Sequence, residues 1–324
     1  SNAKSDGANM LHIDRLEKIT YQLKCYTTHY QLPLEPMQKA LLICLLIVFS
    51  TQGNSQETPL ETSTVKTNFK TKNKGKLYFY WGWNKAQYSY SDITFKGDDY
   101  NFTLYDVAAK DRQTPWDADV YLNPANISTP QTVARIGYYF HHNWNLSIGV
   151  DHMKYVMVAQ QHATIDGYID LDDPLSEFNG VYDNAPIYVD EDFLEFEHTD
   201  GLNYINLEIS RVDNLGDYLN WNSKKIQLNL LESFGAGILY PKTNSTLLSK
   251  EKNDEFHLSG FGLSFKAGIN LTLFDHFFVQ TELKAGYIDM SDIRTTNSSA
   301  DSASQEFFFF QRNISFGYIF QLVK

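Results

Sequence analysis

The sequence predicts an all-β protein, an eight-stranded antiparallel up-and-down transmembrane β-barrel with long extracellular loops. Three observations predict it. Apolar residues recur at every second position in eight separate segments, the period of a strand with two unlike faces. The opposite face is mostly Gly, Ser, Asn and Thr, where a face turned to water should be rich in Lys and Glu. The connections between segments are alternately short and long, the layout of a barrel with tight turns on one side of a membrane and loops on the other.

The chain opens on Ser1-Asn2-Ala3, which reads as a tag-cleavage scar. Residues 1–36 as a whole read as an upstream segment to which no fold is assigned. Residues 37–55 read as a secretory signal peptide: Lys39 precedes the apolar run from Ala40 to Phe49, and small polar residues follow. That run is too short to cross a bilayer as a helix, which takes about 20 residues. Cys44 lies inside the run rather than after it, which argues against lipid attachment. Residues 56–75 are a polar leader without periodicity, expected on the periplasmic side, and residues 76–324 are the barrel.

Cys25 and Cys44 both precede the expected cleavage point, so disulfides and zinc–thiolate sites are excluded after it. From Gln56 onward the chain holds 35 acidic and 22 basic residues, a net −13. Such a polyanion is a poor nucleic-acid ligand. The expected setting is the outer membrane, as a monomer, with membrane lipid and lipopolysaccharide as surroundings and an unidentified extracellular ligand.

The first strand, 76–86, gathers Leu77, Phe79, Trp81 and Trp83 on one face. The second, 130–141, gathers Ala134, Ile136, Tyr138 and Phe140, and a tight turn leads to the third, 144–159, with Leu146, Ile148 and Val150. The fourth, 201–211, offers Ile205, Leu207 and Ile209; the fifth, 224–240, offers Leu228, Leu230, Phe234 and Ile238. The sixth, 257–273, alternates most cleanly, with Phe261, Leu263, Phe265 and Ile269 against Gly260, Gly262, Ser264 and Lys266. A short turn leads to the seventh, 277–289. The eighth, 306–322, carries Ile314, Phe316, Tyr318 and Phe320. It resembles the terminal insertion signal of outer-membrane barrels and is expected to pair with the first strand. A soluble eight-stranded barrel with its apolar face inward is the rival reading, and the cramped, weakly charged polar face argues against it.

With the apolar face outward, six charges point inward: Arg135, Asp151, Glu208, Lys266, Glu282 and Lys284. Their sum is zero, so the expectation is a mutually paired, filled lumen, because charges withdrawn from water need partners. Glu232 falls on the lipid face, and a β-bulge turning it inward is expected.

Of the long connections, 87–129 contains a hairpin signal, Ile93 and Phe95 against Tyr100, Phe102 and Leu104 around a Lys-Gly-Asp-Asp turn. The connection 160–200 holds 12 acidic residues and no Lys or Arg. It reads as a solvated acidic loop. Asp170, Asp172 and Asp173, with Asp190, Glu191 and Asp192, are candidate Ca2+ ligands, since that ion takes several carboxylate and carbonyl oxygens. No complete EF-hand spacing is present, and no other cofactor is indicated.

No P-loop, dinucleotide fingerprint, nucleophile elbow or HExxH occurs. His257 and Ser259 stand two apart, expected on the same outward face, and a His beside a Ser is the minimum for an activated hydroxyl. The pair resembles the His-x-Ser of outer-membrane lipid A deacylases, themselves eight-stranded barrels, and implies a lipid-modifying activity as one alternative. Gly260 stands where that family has Asn, and no acidic orienter is obvious. A narrow channel for small solutes is the other alternative to a structural or ligand-binding barrel.

"YWGWN", "SDITFKGDDYNFTL", "YLNPANISTPQ", "FEHTDGLNY" and "FFFFQRNISFG" together resemble an uncharacterised family of Bacteroidetes-type outer-membrane barrels. The resemblance implies fold and location, and supplies no activity or catalytic residues.

Overall fold

The computed structural model describes residues 73–321, apart from 124–125, 127–129, 220, 222, 224 and 251. The expected signal peptide and most of the polar leader lie outside the described residues. In chain order the strands are β1 (Lys76–Tyr88), β2 (Ser91–Lys96), β3 (Tyr100–Val107) and β4 (Ala109–Lys110). A short helix α1 (Ala118–Leu122) precedes β5 (Thr132–Tyr138), β6 (Trp144–Met157), β7 (Gln161–Ile169), β8 (Gly180–Val189) and β9 (Leu194–Asn214). After helix α2 (Gly216–Leu219) come β10 (Ile226–Leu239), β11 (Asn244–Leu247), β12 (Gly260–Leu273), β13 (Phe277–Arg294) and β14 (Ser302–Gln321).

Eight of these strands form a closed antiparallel ring, β1-β5-β6-β9-β10-β12-β13-β14, sealed by the pairing of β14 with β1. Phe79 lies opposite Tyr318 and Trp83 opposite Ile314 across that seam. Closure leaves the ring no open edge, the condition hydrocarbon imposes on a sheet. Every ring strand alternates a buried residue with an exposed one: Leu207 and Phe316 are 55% and 47% exposed, while Glu208 and Ser315 between such positions are 1% and 0%. Apolar residues outside and polar ones inside is the reverse of a water-soluble barrel, and identifies a transmembrane barrel of the outer-membrane type. Tyr138, Phe140, Trp144 and Phe277 stand exposed at the short-turn end, and Tyr240, Phe256 and Phe261 at the other. These are two aromatic girdles, where rings with an apolar body and a polar edge sit between lipid and water.

The long connections correct the sequence reading. The segment 160–200 is no solvated loop: it forms the β7–β8 hairpin and the first residues of β9. The hairpin near residue 97 is present as β2–β3 and extends the wall, because β2 takes over from β1 as the partner of β14 at Ile93–Lys96. β3 then pairs with β7, and β7 with β8, so this sheet rises beyond the ring and ends at β8. Its inner face joins the upper parts of β6, β9, β13 and β14 in an apolar core containing Phe95, Phe102, Tyr155, Phe193, Phe196 and Phe307. The inward face of β14 shows the transition: Ser315, Asn313 and Gln311 give way to Phe309 and Phe307, with Gln305, bonded to Ser91 and Tyr155, and Ala303 beyond.

Glu232 is a second correction. β10 pairs with β9 and β12 without a register shift at this position, so no bulge turns the side chain inward. Glu232 stays on the exterior with Arg211 directly opposite on β9, which places a cation beside the carboxylate.

Candidate functional site

The ring wall brings all six inward charges into one buried network. Glu208, from the middle of β9, is the hub. Its carboxylate lies 3.0 Å from Arg135 of β5, 2.8 Å from Lys266 of β12 and 2.9 Å from Lys284 of β13. Lys266 also reaches Glu282 at 2.7 Å, and Lys284 reaches Asp151 of β6. Each of the six side chains is at most 3% exposed.

Neutral partners complete the set. Asn206 accepts from Arg135 at 2.6 Å and donates to Asp151 at 2.8 Å, while Gln280 donates to Glu282 at 2.7 Å. The Tyr80 hydroxyl on β1 accepts from both Arg135 (3.1 Å) and Lys266 (2.9 Å), so it ties two like charges together through one oxygen. Tyr80 was missing from the sequence-based set. Its signal was its parity, one residue out of step with Phe79 and Trp81. Room for the guanidinium comes from Gly149 on β6: a Cβ there would lie 2.8 Å from the Arg135 Cζ.

Little space is left. Below the network a void of about 20 Å³ is lined by Tyr78, Tyr80, Lys266, Asn270 and Phe278, and a second of about 10 Å³ lies nearer the short turns. Each has room for roughly one water. Above the network the apolar core of the outer sheet fills the barrel mouth. Polar packing below and apolar packing above therefore block the axis over the described residues.

The candidate Ca2+ ligands do not meet. Asp170, Asp172 and Asp173 sit at the tip of the β7–β8 hairpin, whereas Asp190, Glu191 and Asp192 sit at its base. With Ile169 opposite Gly180 and Gln161 opposite Val189, the two groups are separated by a hairpin roughly 27 Å long at ~3.4 Å per residue. Asp173 and Asp190 cap their own turns, accepting from the Leu175 and Phe193 amides at 2.9 and 3.1 Å. Among the described residues no group of three or more His, Cys, Asp or Glu is placed to hold a metal ion.

His257 and Ser259 do not share an exterior face. The alternation of β12 begins only at Gly260, so parity carried back past the strand end misplaces Ser259, which is 1% exposed. Its hydroxyl donates to the His257 carbonyl at 3.4 Å, not to the imidazole. The imidazole Nε2 instead meets Asp292 of β13 at 2.9 Å, an acidic partner the sequence reading did not find. The result is a surface His–Asp pair with no hydroxyl nucleophile on it.

No protein-family model matches the chain, and no curated protein matches it. Solved structures similar to it include the outer membrane protein OprG from Pseudomonas aeruginosa, at 10% identity and a TM-score of 0.39, covering 78% of this chain and 99% of that one. Ail, the attachment invasion locus protein of Yersinia pestis, aligns at 10% identity and a TM-score of 0.27, over 76% of this chain and 99% of its own. Neisserial surface protein A aligns at 6% identity and 0.26, over 74% and 98%. Likeness at this level carries no argument; the ring of strand pairs and the inverted polarity carry the fold.

Proposed function

We propose that the protein is a monomeric, non-conducting outer-membrane barrel that anchors a rigid acidic β-platform outside the cell and binds cationic ligands on it. The filled lumen carries this reading. Among the described residues the lumen holds voids of about 20 and 10 Å³, room for single waters, which supports a closed barrel over the narrow-channel alternative. Ser259 is buried and bonded to the His257 carbonyl rather than to its imidazole, which favours the binding reading over the deacylase alternative. The β7–β8 hairpin and its flanks meet the outside, where 160–200 carries −12 without a Lys or Arg. Five of those charges lie on strands and seven in the turns that join them; holding them on one hairpin and its flank concentrates the field at a surface, and such a field gathers counter-ions. The acidic groups act as a diffuse attractor, Ca2+ included, rather than as a chelating cage.

The test joins two measurements on the reconstituted protein. Planar bilayers should show no steady conductance, and fluorescent oligolysine should bind with an affinity that falls steeply with salt. A variant with Asp170, Asp172, Asp173, Asp190, Glu191 and Asp192 changed to Asn or Gln should lose most of that binding. Large steady currents, or oligolysine binding unchanged in the variant, would sink the proposal.

A further inference from the structure

We propose that the exterior of the β1–β14 seam is a binding site for the phosphate of a phosphorylated glycolipid in the outer leaflet, held by Lys85 and Arg312 above an aromatic shelf. The inference rests on the transmembrane placement of the ring and goes beyond the acidic platform, which lies elsewhere on the molecule.

Lys85 of β1 stands directly opposite Arg312 of β14. Both are exposed on the exterior, while their neighbours Asn84, Ala86, Gln311 and Asn313 are buried inside. Like charges directly opposite each other on adjacent strands repel. Three other cations outside the lumen have carboxylate partners: Arg211 with Asp213 at 2.7 Å, Lys242 with Asp200 and Asp254 at 3.3 Å, and Lys250 with Asp99 at 2.9 Å. Among the described residues Lys85 and Arg312 form no ion pair. Asp111 is the carboxylate that faces Lys85 electrostatically, with Lys154 also acting on it. Asp111 already accepts from the Ala86 amide at 3.0 Å and from the Gln131 side chain, so its oxygens are engaged. Among the described residues Arg312 thus has no carboxylate partner and Lys85 shares Asp111 with Lys154, so an anion between the two cations would offset their repulsion.

Their height selects the anion. Outward residues of β1 below Lys85 are Leu77, Phe79, Trp81 and Trp83. Eight residues of strand at ~3.3 Å each, tilted by about 40°, put Lys85 roughly 20 Å above Leu77. That is near the outer edge of an apolar band about 25 Å tall, the level at which acyl chains end and headgroup phosphates begin.

The shelf below fits the acyl end of such a lipid. Trp81 and Trp83 pack edge to face at 4.8 Å, and Trp83 meets Phe316 of β14 at 6.0 Å. Helix α1 lies back against the barrel's outside: Tyr121 is 5.9 Å from Trp83, and Trp116 is 4.9 Å from Tyr121. Trp116 and Leu122 nevertheless remain 71% and 61% exposed. In water that exposure has no benefit, whereas at a lipid interface an indole just before a short helix and a leucine at its end are in their preferred solvent.

The test uses the full barrel in detergent, with folding checked by heat-modifiable gel migration, and native mass spectrometry as the readout. Diphosphoryl lipid A, phosphatase-treated lipid A and phosphatidylglycerol are titrated onto the protein and onto a Lys85→Gln/Arg312→Gln variant. Charge-assisted contacts to phosphate predict binding of diphosphoryl lipid A at least about 10-fold tighter than of the dephosphorylated form. The double variant should show the same loss while migrating as a folded barrel. Equal binding by variant and parent, or no preference for the phosphorylated form, overturns the site. Phosphatidylglycerol binding as tightly as diphosphoryl lipid A overturns the glycolipid assignment. Loss of heat-modifiability in the parent protein would fail the membrane-barrel reading itself, a separate result.

Discussion

Glu208→Gln removes one charge from the lumen while keeping the side chain's size, which makes it the sharpest perturbation of the network. Three cations converge on this carboxylate at 2.8–3.0 Å, all of them nearly inaccessible to solvent. With the carboxylate gone, Arg135, Lys266 and Lys284 face only Asp151 and Glu282, and the lumen carries an uncompensated positive charge. The new amide NH2 also brings donors towards groups that can only donate. Breaking a buried pair in this way costs about 3–5 kcal/mol. The companion change Lys284→Met restores neutrality by removing the cation that bridges Glu208 and Asp151. The double variant should therefore be more stable than Glu208→Gln alone by ~2 kcal/mol or more, against all expectation from additivity. Equilibrium unfolding by denaturant in lipid vesicles, followed by tryptophan fluorescence, supplies all four corners of the cycle. A cost below about 1 kcal/mol for Glu208→Gln, or a double variant that simply sums the two losses, would refute the reasoning.

Two further outcomes follow from the outer sheet. Phe307 is fully buried in the apolar core whereas Phe310 points outward on the same strand, so Phe307→Ala should cost about 3–5 kcal/mol and Phe310→Ala clearly less; equal losses in the same unfolding assay would contradict the placement of the core. His198 is buried between Tyr155 and Phe196, its Nδ1 bonded to Thr243 at 3.0 Å, and burial pushes its pKa from 6.5 down to about 3. The neutral form is the folded one, so its stability contribution is full above pH 6.5 and is lost as pH falls toward 3, at about 1.4 kcal/mol per unit. Hydrogen exchange of the outer sheet measured across that window should show the slope in the parent and a weaker one in His198→Asn.

The ring was legible because a strand between lipid and lumen has to alternate, and alternation survives without any knowledge of partners. The same parity puts Arg135, Glu208 and Lys266 on the inward side. Which oxygen meets which nitrogen depends on the stagger between strands, and that is why Tyr80 stayed unseen although its position was readable. The outer sheet failed for a different reason. Ile165, Ile169, Val189 and Phe193 are all buried, yet they are interspersed with carboxylates whose number dominates any reading of 160–200. Those carboxylates solvate the outer face and turns of a sheet whose other face is a core. Ser259 shows the limit from the opposite side, since parity holds only within the strand that generates it.

The run Phe307-Phe308-Phe309-Phe310 brings these arguments to one place. Neither a membrane strand with a polar lumen nor a soluble strand with a wet outer face calls for four consecutive phenylalanines. Both faces of β14 must be apolar at this height. Phe307 and Phe309 face the core that closes the barrel mouth, while Phe308, packed 5.3 Å from Tyr287, and Phe310 face outward above Arg312. Inside, the polar lumen ends between Gln311 and Phe309; outside, polar groups return at Arg312 with Lys85 opposite and at Gln87 opposite Phe310, and Glu306 further along meets the Tyr287 hydroxyl. A single strand therefore records both the depth at which the lumen is sealed and the depth at which lipid gives way to water. The two depths nearly coincide, so the mouth is closed at the outer rim of the membrane wall, by the apolar core of the outer sheet.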